Sequence, residues 1–328
     1  MNAIELENKL RMALDIIDTP DINGWTRMHW AAARGHVSLI NIFVQLGSKT
    51  IDALDDTGRT PIFMAAMYGH ASVIETLVRL GSTAIDTSSY NDMTPMHIAA
   101  RNGHVLAIEI LVRLGSTSID TVTNCGQTPM FMAACNGYIF VIETLVRLGS
   151  TAINTCSVNG ETPMHTATWS GHHSAVETLV RLGSTSIDTF DNRGRTPIHT
   201  AAYRGHISIV ETLVRLGSTS INGFDCNGYT PIYMAASNGH TSIIETLVRL
   251  GSTDIDTPDS AGRSPMDIAR VREKHESFNT LGYLGAIHND SHSFVYNEDE
   301  AAAVRQRVYF QRSLVSRCLF HLSITNIH

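Results

Sequence analysis

Sixteen histidines among 328 residues are the first candidates for chemistry, because imidazole ligates metals and moves protons near neutral pH. Most fall on two recurring positions. His36, His70, His104, His172, His206 and His240 share one, and His29, His97, His165 and His199 share the other. Equivalent residues on neighbouring packed helices stand about 8–10 Å apart. Zinc–nitrogen bonds are about 2.0–2.1 Å long, so such histidines do not share a metal. Five cysteines (Cys125, Cys135, Cys156, Cys226 and Cys318) include no Cys-x-x-Cys pair, which argues for reduced thiols and against a zinc site or a disulfide framework. No Ser/His/Asp order, phosphate-cradling glycine loop or paired-carboxylate motif stands out. The expectation is a non-enzyme with no catalytic, cofactor-binding or metal residue.

A second chemical pattern is a row of charges. Glu75 with Arg79 through Glu245 with Arg249 are spaced i,i+4 in the favourable order, and each pair adds about 0.2–0.5 kcal/mol to its helix. Repetition reads as a solvated face, or as charge rows that attract a partner.

Both patterns belong to a repeat. Thr-Pro recurs at Thr60, Thr94, Thr128, Thr162, Thr196 and Thr230, with imperfect copies at Thr26 and Ser264, always 34 residues apart. The string ETLVRLGST starts at Glu75, Glu143, Glu177, Glu211 and Glu245. Such self-similarity predicts stacked units that bury their apolar faces against one another. The tetratricopeptide length is also 34, but its Trp-Leu-Gly-Tyr signature is missing. The stretch Thr196-Pro197-Ile198-His199-Thr200-Ala201-Ala202 closely resembles the ankyrin core motif, and six units keep a comparable stretch. The resemblance covers roughly residues 4–285, with one residue more per unit, between Gly81 and Ile85, than ankyrin repeats usually carry. It implies an all-α ankyrin-repeat solenoid of about eight helix-turn-helix units with short hairpin-like fingers. It also implies that the recurring histidines hydrogen-bond to turn and finger backbone.

Local chemistry agrees. Thr before Pro is a favoured helix start, with an N-cap followed by a residue whose missing N–H costs nothing there. Ala65-Ala66 gives a small-residue face. Gly69 breaks the first helix and Gly81 ends the second. Val73, Ile74, Leu77, Val78 and Leu80 form an apolar stripe at helical spacing.

The ends read as distinct segments: an N-terminal capping helix in 1–16, the array in 17–285 with a degenerate eighth unit, and a tail in 286–328. Within the tail, Asn297 caps a helix predicted over 298–322 that carries Arg305, Arg307, Arg312 and Arg317 and no acidic residue after Glu300. That helix folds back on the last repeat, or docks a second partner or an anionic membrane surface.

A formal charge of −7 shows none of the basic excess expected of a nucleic-acid binder. No apolar run reaches the length of a transmembrane helix, and the first residues lack a signal-peptide core. The expectation is a cytoplasmic monomer, with nuclear entry left open, binding no nucleic acid and no cofactor.

The resemblance implies recognition on the concave face and fingers. There the chain places Trp25, Arg34, Arg59, Tyr68, Tyr90, Arg101, Trp169, Phe190, Arg195, Tyr203, Phe224 and Tyr229. Tyr, Trp and Arg are enriched in binding hot spots. These positions form a recognition strip, or they are drift after duplication. The first reading makes the chain a protein-protein interaction module, an adaptor or scaffold. The alternative gives the targeting role to the tail helix. Asn154 and Asn222 occupy the finger position that is hydroxylated in some ankyrin repeats.

Overall fold

The computed structural model of the chain describes residues 15–285. The expected capping segment before residue 15 and the expected tail helix in 298–322 lie outside the described residues.

Among the described residues the chain is all helical, with eight helix pairs and no strand. The first helices are Arg27–Ala33, Pro61–Met67, Pro95–Arg101, Pro129–Cys135, Pro163–Trp169, Pro197–Arg204, Pro231–Asn238 and Pro265–Val271. The second helices are Val37–Gln45, Ala71–Arg79, Val105–Arg113, Ile139–Arg147, His173–Arg181, Ile207–Arg215, Thr241–Arg249 and His275–Leu284.

The motif dictates this punctuation. Thr60 caps its helix by accepting the Phe63 N–H at 3.2 Å, with Pro61 in the first turn. The first helix ends at Gly69, whose φ of +76° is left-handed, and His104 of the next repeat packs against it so closely that a Cβ would stand 2.6 Å from Nδ1. Glycine is required there twice over, by conformation and by space. In the eighth pair Glu273 holds the same left-handed conformation, φ 55°, without being glycine.

The described residues divide into two compact units: 15–163 with Arg181–Gly183, and Met164–Val180 with 184–285. In the first, the helix Arg27–Ala33 packs on Pro61–Met67, that on Pro95–Arg101, and that on Pro129–Cys135. In the second, Pro197–Arg204, Pro231–Asn238 and Pro265–Val271 stack in the same order, with Ile207–Arg215, Thr241–Arg249 and His275–Leu284 layered behind them. Ala65, Ala66, Ala99 and Ala100 are fully buried where first helices meet, as are Ile74, Leu77, Ile108 and Leu111 behind them. Each large side chain of this kind stabilises the stack by about 1.5–3 kcal/mol. The apolar stripe is narrower than its sequence: Thr76 is buried within it, whereas Val78 and Leu80 are half-buried.

Candidate functional site

The fingers are tight turns built by one side chain each. Asp55 accepts the backbone N–H groups of Thr57 and Arg59, both at 2.9 Å, and Asp55 N–H donates to the Arg59 carbonyl. Asp191, Asp225 and Asp259 repeat the arrangement. In three of these fingers the fifth residue is arginine and turns back on the aspartate: Arg59 on Asp55 at 2.7 Å, Arg195 on Asp191 at 2.6 Å and Arg263 on Asp259 at 2.8 Å. Adjacent fingers join through backbone bonds such as Tyr90 N–H to the Thr57 carbonyl, 3.0 Å.

The histidines of the Thr-Pro-x-His stretches lock each helix start to the next finger. In His97, Nδ1 accepts the Thr94 N–H at 3.2 Å and Nε2 lies 3.1 Å from the Gln127 carbonyl. A carbonyl only accepts, so the proton sits on Nε2 and the ring is neutral. Burial pushes its pKa down to about 4, against the weaker pull of the Gln127 and Thr121 carbonyls. His29, His165 and His199 hold the Arg59, Arg195 and Gly223 carbonyls and are likewise lowered, first by burial. In the other series, His70, His104, His206 and His240 reach the carbonyls of Ala33, Met67, Trp169 and Tyr203 at the end of the preceding first helix. The first series bonds to finger backbone, as the resemblance implied, and the second to helix-end backbone instead; among the described residues no group of His, Cys, Asp and Glu is placed to hold a metal ion.

A third joint lies in the stretch where the extra residue falls. Asp86 accepts from Ser116 Oγ at 2.5 Å, from Thr117 N–H at 2.8 Å and from the Thr117 and Ser118 hydroxyls. Asp52 clasps Ser82 and Thr83, Asp120 clasps Ser150 and Thr151, and Asp188 clasps Ser218 and Thr219 in the same way. Burial pushes the Asp86 carboxyl up, but the four hydrogen bonds outweigh it and hold it below the usual carboxylate range. The Leu-Gly-Ser-Thr string is therefore one half of a joint whose other half is the aspartate 30 residues earlier. At Asn222 the amide does the carboxylate's work, accepting from Ser252 Oγ at 2.7 Å and donating to Thr253 Oγ1 at 3.2 Å.

The Glu–Arg rows pair differently from the i,i+4 expectation. Arg113 meets Glu75 at 3.0 Å and Arg147 meets Glu109 at 2.5 Å, each reaching back one repeat. Arg215 meets Glu177 at 2.5 Å, and Arg249 pairs with Glu211. An arginine extending along the stack finds the preceding repeat's glutamate closer than its own. The first three pairs are solvent-exposed ties between repeats, and in the last the arginine is mostly covered.

In the first unit the candidate residues fall into one cluster and several isolated positions. Trp25 and the Trp30 ring lie 4.6 Å apart, with Arg59 over Trp25 at 5.6 Å and Arg34 over Trp30 at 4.9 Å. Trp30 Nε1 donates to Asp21 at 3.1 Å. Tyr90 is exposed, with one edge of its ring against Gly58. Tyr68 and Arg101 are exposed and join no ring stack or ion pair among the described residues.

The second unit brings more together. Trp169 and Tyr203 stack with centroids 5.9 Å apart and planes 16° apart, and the Arg204 guanidinium caps Trp169 at 4.7 Å. Both rings stay about 40% exposed, which ordinary core aromatics do not. Tyr203 also borders a groove of about 280 Å³ between the fingers and first helices of the last three repeats. Its floor is Tyr229 stacked on Tyr233, centroids 4.4 Å apart and planes within 5°. Arg195 and Arg263, each paired with an aspartate, are among its lining residues. Phe190 and Phe224 are exposed on the fingers but do not line the groove.

Sequence reasoning missed Trp30, Arg204, Tyr233, Arg193, Arg263 and Arg272. Tyr233 carries a readable signal: it stands where four other repeats have histidine and sends its hydroxyl 2.8 Å to Asp259 of the next finger, as those histidines reach finger carbonyls. Burial, then Asp259, pushes its phenol pKa up. Arg59 and Arg195, read as contact residues, are first of all finger braces.

Among the described residues no helix is long and apolar enough to cross a membrane. A comparison with curated proteins finds no match. A family model described as ankyrin repeats (3 copies) matches residues 1–88, 80–154 and 147–222, and one described as ankyrin repeat matches 227–260. Among solved structures, the human ASB11 ankyrin repeat domain is similar, with 25% identity and a TM-score of 0.62, over 70% of this chain and 100% of that one. Ankyrin repeats are generally protein-protein interaction modules without catalytic activity. With family models matching most of the chain, over the same stretch that carries the repeated helix pairs, the chain belongs to the ankyrin-repeat family.

Proposed function

We propose that the chain is a non-enzymatic adaptor or scaffold, working as a cytoplasmic monomer, that binds a partner protein along its first helices and fingers. The observation that carries this reading is the contrast between frame and face. Helix caps and the Asp or Asn clasps repeat almost unchanged, whereas the residue at the end of the first helix varies through Ala33, Met67, Arg101, Cys135, Trp169, Tyr203, Ser237 and Val271. A frame that only stacked would not need a half-exposed Trp–Tyr–Arg cluster at that variable position. Such rigid aromatic and arginine side chains are what hot spots are made of.

Proximity labelling tests this with the full chain beside a Trp169→Ala/Tyr203→Ala variant. Each hot-spot truncation weakens binding by about 1 kcal/mol or more, so proteins labelled by the parent drop out of the variant's set. Identical sets would sink the proposal. Asn222 is engaged by Ser252 and Thr253, so hydroxylation there would meet a side chain already holding the next repeat.

A further inference from the structure

We infer that the groove of the last three repeats takes an extended peptide segment in which a large apolar side chain is flanked by Asp or Glu. This rests on the protein-binding reading above and names the partner's chemistry.

The floor explains the apolar side chain. In the seventh repeat the finger's fifth residue is Tyr229 where the sixth and eighth have Arg195 and Arg263, so Asp225 has no guanidinium folded over it. Tyr229 lies flat on Tyr233 instead, and Tyr233 is fixed by its hydrogen bond to Asp259. With Tyr203 also in the lining, Tyr203 and Tyr229 offer the aromatic surface, backed by the buried side chains of Tyr233 and Ile268 that hold it in place. Little side-chain freedom is lost when a ligand covers it.

The rim explains the acids. Arg195 and Arg263 are each neutralised by an aspartate, and the carboxylate of Asp225 turns inward to the Asn227 and Tyr229 amides. Arg193 and Arg272 are exposed, line the groove and form no ion pair among the described residues. The uncommitted charge at the rim is therefore cationic, on a chain whose formal charge is −7. Two guanidiniums beside an aromatic floor suit carboxylates spaced around an apolar residue. They suit a single-stranded nucleic acid poorly. Every nucleotide adds a phosphate, no lysine lines the groove, and the carboxylate of Asp225 is part of its lining.

The test is fluorescence polarisation with the full chain and four labelled probes. These are a short peptide with Glu on both sides of Trp-Leu, the same peptide with Lys for Glu, the same with Gly for Trp-Leu, and oligouridine. The first probe binds, and the Lys and Gly versions bind about tenfold more weakly or worse. Arg193→Glu/Arg272→Glu weakens the first probe by about tenfold or more, Tyr203→Ala weakens it comparably, and Arg79→Glu, on a second helix, does not. Circular dichroism confirms folding, and Arg193→Gln/Arg272→Gln gives a milder pair that should fall between.

Equal binding of the Lys peptide, binding of oligouridine in place of the acidic peptide, insensitivity to the arginine reversals, or no binding of the first probe would each overturn the assignment. Proximity labelling separates this failure from a broader one. A labelled set lost in Trp169→Ala/Tyr203→Ala but kept in Arg193→Glu/Arg272→Glu leaves a protein-binding face with different chemistry. A set kept in both ends the two proposals together.

Discussion

His97 offers a measurement in which the array supplies its own control. Its Nδ1 accepts from the helix N-cap and its Nε2–H holds the next finger, so both bonds need the neutral ring. The folded pKa is about 4 and the unfolded value 6.5. The neutral form is thus favoured by folding, and the stability it contributes is present above pH 6.5 and lost as pH falls toward 4. At pH 5 the unfolded ring is almost fully protonated and the folded ring almost not at all. Linkage makes the loss between pH 7.5 and 5 about 2 kcal/mol. The variant to compare is His97→Phe, because Phe63 and Phe131 occupy the same position in the neighbouring repeats and are buried there. Constant costs of the substitution cancel when each protein is compared with itself at two pH values. Urea unfolding followed by circular dichroism should give a pH-dependent loss about 2 kcal/mol smaller in the variant. An equal loss in both proteins, or a His97 ring proton titrating near 6.5 by NMR, would refute the assignment.

Three other outcomes follow from the joints. Asp86→Ala leaves the Ser116–Ser118 segment without its acceptor and costs about 1–3 kcal/mol in urea unfolding, while Asp86→Asn costs much less, since Asn222 already does this work. Gly69→Ala destabilises more than Gly81→Ala: both need positive φ, but only the first would drive a Cβ into a neighbour, His104, whereas nothing lies within 4 Å of the second. Glu75→Gln removes an exposed tie to Arg113 and shifts stability by about 0.5 kcal/mol or less, an effect that fades as salt is raised.

The frame was legible because it is local and repeated. A Thr-Pro cap, an alanine pair and a left-handed glycine each act within a few residues, and their period announces the stack. What crossed between repeats was harder to see. The Glu–Arg spacing satisfied a helix rule, yet Arg113 found Glu75 rather than its own repeat's Glu109, because the shortest path for a long side chain ran along the stack. In the sequence the aspartate clasps show only as a recurring Ser-Thr, broken once at Ser48-Lys49. Most of the face residues were named, but their company was not. Tyr229 and Tyr233 are four residues apart and face the same way on a turn and a helix start, and no periodicity argument says so.

The aspartate clasp also bears on how such a chain changes length. Each joint asks its neighbour only for a serine and a threonine at a fixed offset, and offers the same in return, so any whole segment can be duplicated or removed and the cut ends still fit. Copy number then drifts freely under recombination, with no new interface to evolve. The order of the rings at the ends of the first helices does not drift so cheaply: a segment added between Trp169 and Tyr203 would separate rings that now lie against each other, and a segment lost there would remove one of them. Selection on this gene should therefore be felt less in how many segments it encodes than in which ones stand side by side.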